Sequence, residues 1–115
     1  MGDDLTHESQ YLLYTMYKSY LQNRKAGKLI RDSRYFDPVE LYNQQFKSYN
    51  IEDFFDLLRE LDRHGYADVL YGDDEPIRCS LSDKAIRAGE NRFKNQLNAV
   101  ADGLIKVKKI ISPLG

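Results

Sequence analysis

The stretch at residues 50–65, NIEDFFDLLRELDRHG, constrains the fold of this chain more than any other. Its apolar residues recur at helical spacing, which predicts a helix with one buried face. They are Ile51, Phe54, Phe55, Leu58 and Leu61. Asn50 is a good N-cap, and Gly65 stands where helices commonly end in a left-handed residue. The sequence therefore predicts an amphipathic helix whose two ends are both marked.

A strand pair is predicted directly after this helix. The segments at residues 66–71 and 77–81 are rich in apolar and β-branched residues, and an acidic turn at residues 72–76 separates them. This arrangement is typical of a β-hairpin. Ser82 is placed as the N-cap of another helix. The predicted order in this half of the chain is helix, hairpin, helix.

The chain opens with a helix predicted over about residues 6–26, with Thr6 as its N-cap and Gly27 beyond its end. Four tyrosines fall three residues apart, so they drift around a helix whose period is about 3.6 residues. They are Tyr11, Tyr14, Tyr17 and Tyr20. We interpret them as rings half-buried against the domain rather than as a stacking platform for nucleic-acid bases.

A basic segment at residues 24–34 leads into a second helix, with a short strand predicted at residues 33–36. Asp37 is an N-cap, Pro38 occupies the first helical position, and Glu40 is placed to complete a capping box. The apolar residues of this short helix are Val39, Leu41, Tyr42 and Phe46. A turn of three or four residues joins it to the helix at residues 50–65, a spacing that matches a helix-turn-helix.

The C-terminal part of the chain carries a heptad pattern, with steps of four and three residues. Its seam consists of Phe93, Leu97, Val100, Leu104, Val107 and Ile111. Gly103 lies within it, at a cost of roughly 1 kcal/mol relative to Ala in a helix. One interpretation is a terminal helix that packs on its own domain. The preferred one is the pairing of two such helices in a homodimer, because a chain end seldom exposes so much apolar surface.

The chain resembles the winged helix-turn-helix superfamily, with a core like that of MarR-like and PadR-like regulators. The resemblance is carried by Leu58-x-x-Leu61-x-x-x-Gly65-Tyr66, a short hairpin, and then Leu81-Ser82-x-Lys84. The acidic hairpin turn and apolar terminal segment are also similar to small bacterial or phage-associated proteins of the YjcQ-like kind. Ala85 departs from the pattern, since a glycine is usual soon after the lysine.

The resemblance implies a mostly helical α+β fold, namely a winged helix-turn-helix with an extended C-terminal helix. The chain is expected to divide into a winged-helix domain at residues 1–92 and a C-terminal helix at residues 93–115. The heptad seam predicts that this helix is the dimerisation element. In this fold the helix at residues 50–65 takes the position of a recognition helix. The hairpin takes the position of the wing.

Catalysis has little support in this sequence. It contains no glycine-rich phosphate loop, no nucleophile elbow and no histidine pair at metal spacing, so we expect neither enzymatic activity, nor a metal, nor a cofactor. Cys79 is interpreted as a small buried hydrophobe, and His64 as a favourable group at a helix C-terminus. No apolar run approaches a membrane span and the first residues are acidic and polar, so we expect a cytoplasmic protein without membrane contact.

The resemblance implies duplex DNA as the partner, bound by a homodimer that acts as a transcription regulator, and we place this function first. Basic and polar residues that suit phosphates and base edges are the candidates. They are Arg24, Lys25, Lys28, Arg31, Arg34, Gln44, Gln45, Lys47, Ser48, Arg59 and Arg63.

Charge favours a different partner, a basic protein. Whereas the whole chain is nearly neutral, residues 50–75 hold nine acidic and two basic residues, a local charge of −7. DNA affinity depends largely on neutralising the phosphates with positive charge, so we expect this negatively charged surface to repel a duplex. The alternative function is therefore a protein-interaction winged helix without DNA binding. Its candidate surface comprises Glu52, Asp53, Asp56, Glu60, Asp73, Asp74 and Glu75.

Overall fold

The computed structural model describes residues 4–92, an α+β fold in which helix predominates, as the sequence predicts. The helices of this part are α1 (His7–Lys25), α2 (Ile30–Ser33), α3 (Pro38–Gln45), α4 (Ile51–Arg63) and α5 (Asp83–Arg92). Its strands are β1 (Tyr35–Phe36), β2 (Ala67–Gly72) and β3 (Glu75–Leu81). The predicted heptad seam, from Phe93 to Ile111, lies outside the described residues. Within residues 4–92, no helix combines the length and apolar character that crossing a membrane requires.

The predicted helix starts are confirmed. Each N-cap side chain accepts a hydrogen bond from an amide in the first turn of its own helix. These caps are Thr6, Asp37, Asn50 and Ser82. Gly65, with φ of +79°, follows the end of α4 as expected. Glu40, which the sequence predicts to close a capping box, accepts a hydrogen bond at Oε1 from Gln44 Nε2 at 3.2 Å.

Helix α1 is buried more completely than its sequence pattern predicts. Residues 12–17 are all buried, which is more than one helix face, because α1 packs against α2, α4 and α5. Tyr14, Tyr17 and Tyr20 lie in the interior rather than half-buried at its rim. Tyr11 remains partly exposed and meets the ring of Phe46 edge-on. Three of the four tyrosines are therefore core residues.

Helix α4 supplies the buried face predicted for it through Phe54, Phe55, Leu58 and Leu61. Ile51, assigned to the same face, is 37% exposed. Val39, assigned to the apolar side of α3, is 49% exposed. Both residues lie in the first turn of a helix, where side chains lean toward the N-terminus and extend past the end of the packed surface.

The three strands form one antiparallel sheet in the order β1-β3-β2. Cys79 at its centre lies opposite Phe36 on β1 and Val69 on β2. Leu70 pairs with Arg78 and Tyr71 pairs with Pro76, so Ile77 has no opposite residue and forms a bulge. The predicted hairpin is thus confirmed.

The strand predicted at residues 33–36 is shorter than expected. Its first residue, Ser33, ends the unpredicted helix α2, and both the amide and the hydroxyl of Ser33 donate to the carbonyl of Leu29. Because the amide of Ser33 already donates within this helical turn, it is not free to pair in the sheet.

Candidate interaction surface

The exposed side of α4 is acidic at its N-terminal end. Glu52, Asp53 and Asp56 are exposed there, beside the apolar Ile51. Carboxylates in the first turn also stabilise a helix through its dipole, so this cluster has a structural role as well. In residues 51–56 the exposed surface contains no cation.

The hairpin tip is acidic as well. Asp73 and Asp74 connect β2 to β3 with φ of +52° and +67°, the left-handed values of a two-residue type I′ turn. Aspartate tolerates this region better than most residues, though less well than glycine. Glu75 follows, and all three side chains are exposed. The turn therefore presents three carboxylates to solvent.

Arg59 joins the hairpin tip to α4. Its Nη1 lies 2.7 Å from Asp56 Oδ1, the pair expected from their spacing along the helix. Its Nη2 donates to the backbone carbonyl of Asp74 at 2.8 Å. One guanidinium thus holds the carboxylates of the helix and those of the tip on a common surface.

Tyr71 makes a second link between the hairpin and α4. Its hydroxyl donates to Asp62 Oδ2 at 2.8 Å. Burial, together with this bond to a carboxylate, raises the pKa of Tyr71 to about 12. The hairpin is consequently fastened to the helix both near its tip and at the end of β2.

Glu60 differs from the other predicted acidic residues because its carboxylate bonds to the start of α1. Its carboxylate accepts hydrogen bonds from the amide and the hydroxyl of Thr6, at 2.7 and 3.1 Å. Burial alone would raise its pKa, but hydrogen bonds from Ser9 and Thr6 lower the pKa of Glu60 overall. Glu60 therefore fixes the start of α1 to α4 rather than facing a partner.

We define the acidic surface as the remaining six predicted carboxylates and the Arg59 between them. The carboxylates are Glu52, Asp53, Asp56, Asp73, Asp74 and Glu75. With one guanidinium against six carboxylates, the surface carries a formal charge of −5.

Several of the residues predicted to contact DNA bind other parts of this chain. Arg34 donates from Nε to the carbonyl of Leu81 and from Nη2 to Asp83, at 2.8 and 2.7 Å. The hydrogen bond from Arg34 and its positive charge lower the pKa of Asp83. Arg34 thereby ties the segment before β1 to the start of α5. Arg24 donates to the carbonyl of Lys28 at 2.7 Å, which closes the end of α1.

The other predicted DNA-contact residues are exposed, and two of them lie in a cleft of mixed charge. Lys28 and Gln44 line a common cleft between α1 and α3, yet three carboxylates line it too. These are Asp32, Asp37 and Glu40. The remaining exposed candidates are Lys25, Arg31, Gln45, Lys47, Ser48 and Arg63. A cleft of this mixed charge is a poor phosphate site.

Cys79 is a core residue, as the sequence predicts. It is 1% exposed, and its thiol donates to the carbonyl of Phe36 with Sγ at 3.6 Å. Burial raises the pKa of this thiol to about 12. Nucleophilic chemistry depends on the thiolate, so Cys79 is unsuited to it.

The C-terminal end of α4 is contacted by residues from other parts of the chain, which the sequence of the helix does not predict. His64, predicted to stand there, places Nδ1 2.8 Å from Asp4 Oδ2. Lys84 donates to the carbonyl of His64 at 2.6 Å, and its ammonium lies 4.3 Å from the centre of the Tyr66 ring. Lys84 therefore caps the end of α4 from a position twenty residues further along the chain.

Comparison with protein-family models, with curated proteins and with solved structures gave no significant match to this chain.

Proposed function

We propose that this chain is a non-catalytic winged-helix protein whose acidic surface binds a basic segment of another protein. The order α1, β1, α3, α4, β2, β3 and the sheet order β1-β3-β2 support the winged-helix assignment, in which α4 is the recognition helix and the hairpin is the wing. Function depends on the surface of such a fold rather than on the fold itself. The cytoplasmic location expected from the sequence is part of the same proposal.

The observation that carries the proposal is the position of Arg59. Arg59 is one of the two cations of α4 that are predicted to contact a phosphate backbone. Its guanidinium instead pairs with Asp56 and donates a hydrogen bond to the carbonyl of Asp74. Its bonds place the wing tip beside the exposed carboxylates of α4. A duplex approaching α4 and the wing would meet this net negative charge, whereas a lysine- or arginine-rich segment would be attracted to it.

The experiment is a titration of the full-length chain with a fluorescent deca-lysine peptide, followed by anisotropy at low and near-physiological salt. Asp73→Asn with Asp74→Gly removes two charges while keeping residues that suit a type I′ turn. We expect this double variant to bind several-fold more weakly, and all binding to weaken with salt.

The matched control is Asp32→Asn with Glu90→Gln, which removes two exposed carboxylates from α2 and α5. It should retain nearly the affinity of the parent. Equal losses in the two double variants would show that only total charge matters. That result, or the absence of binding at low salt, would overturn the proposal.

DNA binding by a homodimer is the second candidate function. It is favoured by the exposed side chains of Lys28, Arg31 and Lys47, which lie away from the acidic surface in sequence and bear positive charge. Duplex affinity that falls steeply with salt, and is lost in the triple alanine variant of these residues, would support it. Arg34 is left out of that variant because its bonds to Leu81 and Asp83 make it structural.

The homodimer remains a prediction from the heptad seam. Leu97→Asp with Leu104→Asp should convert a dimeric parent to a monomer in analytical ultracentrifugation. A parent that already sediments as a monomer would contradict it.

A further inference from the structure

Strand β2 is at an edge of the sheet. The order β1-β3-β2 pairs one side of β2 with β3, and among residues 4–92 no strand pairs with its other side. Asp68, Leu70 and Tyr71 are exposed, and Leu70 is 56% accessible to solvent. An edge strand of six residues offers unpaired backbone groups to any extended chain that can lie beside it.

The alternating direction of the hydrogen bonds along β3 identifies which backbone groups of β2 face the open edge. The amide of Leu81 donates to the carbonyl of Arg34, on the β1 side, whereas the amide of Ser82 donates to the carbonyl of Tyr66. Directions alternate along an antiparallel strand, so Ser80 and Arg78 bond toward β2 and Cys79 bonds toward β1.

The residues of β2 alternate in the same way. Asp68 and Leu70 pair with Ser80 and Arg78 and bond to β3. Val69 lies opposite Cys79, so its amide and carbonyl point away from the sheet. Tyr71 lies opposite Pro76, which has no N–H to give, and it too faces outward. Val69 and Tyr71 therefore present the two open donor and acceptor pairs.

Charge indicates what kind of strand fits this edge. Many proteins protect an exposed edge with lysine or proline, but β2 has neither, and its sequence ADVLYG runs into two aspartates. A second copy of β2 would bring aspartates of the two copies close together, which opposes pairing. A strand rich in lysine or arginine would instead neutralise Asp68 and the carboxylates of the wing tip.

We infer that the β2 edge receives an extended basic segment of a partner protein as a fourth strand of the sheet. The backbone of that segment bonds to Val69 and Tyr71, and its basic side chains meet Asp68, Asp73 and Asp74. This is recognition by β-strand addition, in which backbone bonds supply affinity and side chains supply selectivity. The inference rests on the proposed function and specifies how the basic partner binds.

The test uses the full-length chain and a synthetic heptapeptide in which lysine and valine alternate, beginning and ending with lysine. Amide hydrogen exchange is followed by NMR with and without the peptide. When nine-tenths of the protein is bound, exchange at Val69 and Tyr71 should slow by about tenfold, because exchange then occurs mainly from the free fraction. The amides of Asp68 and Leu70 already bond to β3 and should change much less.

Val69→Pro is the matching variant. It removes an outward N–H without taking a hydrogen bond from the pairing of β2 with β3. We expect at least a fivefold loss of affinity, while Val69→Thr, which keeps the N–H and a β-branched side chain, should bind like the parent.

Two modified peptides keep the test decisive even where Val69→Pro does not fold. One is N-methylated at its valines and the other at its lysines, so the charge is the same but opposite edges of the peptide are blocked. Strand addition uses one edge, and at most one of these peptides should bind with the parent affinity.

The outcomes separate this inference from the function on which it rests. Peptide binding without protection of Val69 and Tyr71, and with equal affinity for both methylated peptides, would overturn strand addition and leave the acidic surface as the binding site. No binding of the unmodified peptide at low salt would overturn both.

Discussion

The guanidinium of Arg59 donates a hydrogen bond to the backbone carbonyl of Asp74, fifteen residues further along the chain, at 2.8 Å. The same side chain pairs with Asp56. Helix α4 thereby uses one of its cations to hold the acidic hairpin tip against itself. Together with the bond from Tyr71 to Asp62, the Arg59 bond holds the hairpin tip beside the exposed carboxylates of α4.

Arg59→Ala should lower the free energy of unfolding by about 1 kcal/mol, the range of a charged hydrogen bond together with a partly exposed ion pair. Urea denaturation measures this loss. Arg63→Ala is the control, since Arg63 is exposed on the same helix and its removal should change stability by no more than about 0.5 kcal/mol. Equal effects of the two substitutions would contradict a fastening role for Arg59.

Gly89→Ala should destabilise the protein although alanine favours helix. A Cβ at this position of α5 would lie 2.6 Å from atoms of the Tyr17 ring, which is 2% exposed on α1. Overpacking of this kind costs about 1–3 kcal/mol, against a gain in helix propensity of about 1 kcal/mol.

A double-mutant cycle by thermal or urea unfolding checks the Gly89 prediction. In the background Tyr17→Leu the penalty of Gly89→Ala should shrink, because the ring that opposes the Cβ is gone. Strict additivity of the two substitutions would show that contact with the Tyr17 ring is not the reason why Gly89→Ala destabilises the protein.

The double substitution Asp73→Asn with Asp74→Gly should raise the free energy of unfolding by about 0.5–1 kcal/mol. Both positions have positive φ, which glycine adopts freely and asparagine tolerates. Asp73→Ala with Asp74→Ala removes the same two charges and should destabilise the hairpin instead. A similar stability for the two double variants would indicate that charge repulsion, not turn geometry, decides the effect.

Stability should decline in alkaline solution. Burial raises the pKa of Cys79 and, with the Asp62 bond, that of Tyr71, in each case to about 12. The unfolded chain loses these protons near pH 9 and 10 while the folded chain retains them. The unfolded state is therefore favoured progressively as the pH rises from about 9 toward 12.

Urea denaturation between pH 8 and 11 measures this alkaline decline. Cys79→Ala removes one titrating group and should flatten the decline above pH 9, whatever its effect on stability at pH 8. An unchanged slope would mean that the thiol titrates alike in the folded and unfolded states.

The sequence by itself determined the starts of four helices and the hairpin within residues 4–92. The N-caps Thr6, Asp37, Asn50 and Ser82 act within one helical turn, so their residue types and spacing are sufficient to predict them. The buried face of α4 and the hairpin follow from periodicity in the same way. Periodicity does not predict the exposure of Val39 and Ile51, because it assigns a helix face but not how far the packed surface extends along the helix.

Only the tertiary structure decided which charged residues remain available to a partner. Arg34 is bound to Leu81 and Asp83, Glu60 to Thr6, and Arg59 to the carbonyl of Asp74. Hydrogen bonds between groups far apart in sequence depend on how the elements pack, and composition or spacing carries no signal of them. The outward direction of Val69 and Tyr71 was likewise decided by pairing, because the strand register and the bulge at Ile77 fix which backbone groups are left at the edge.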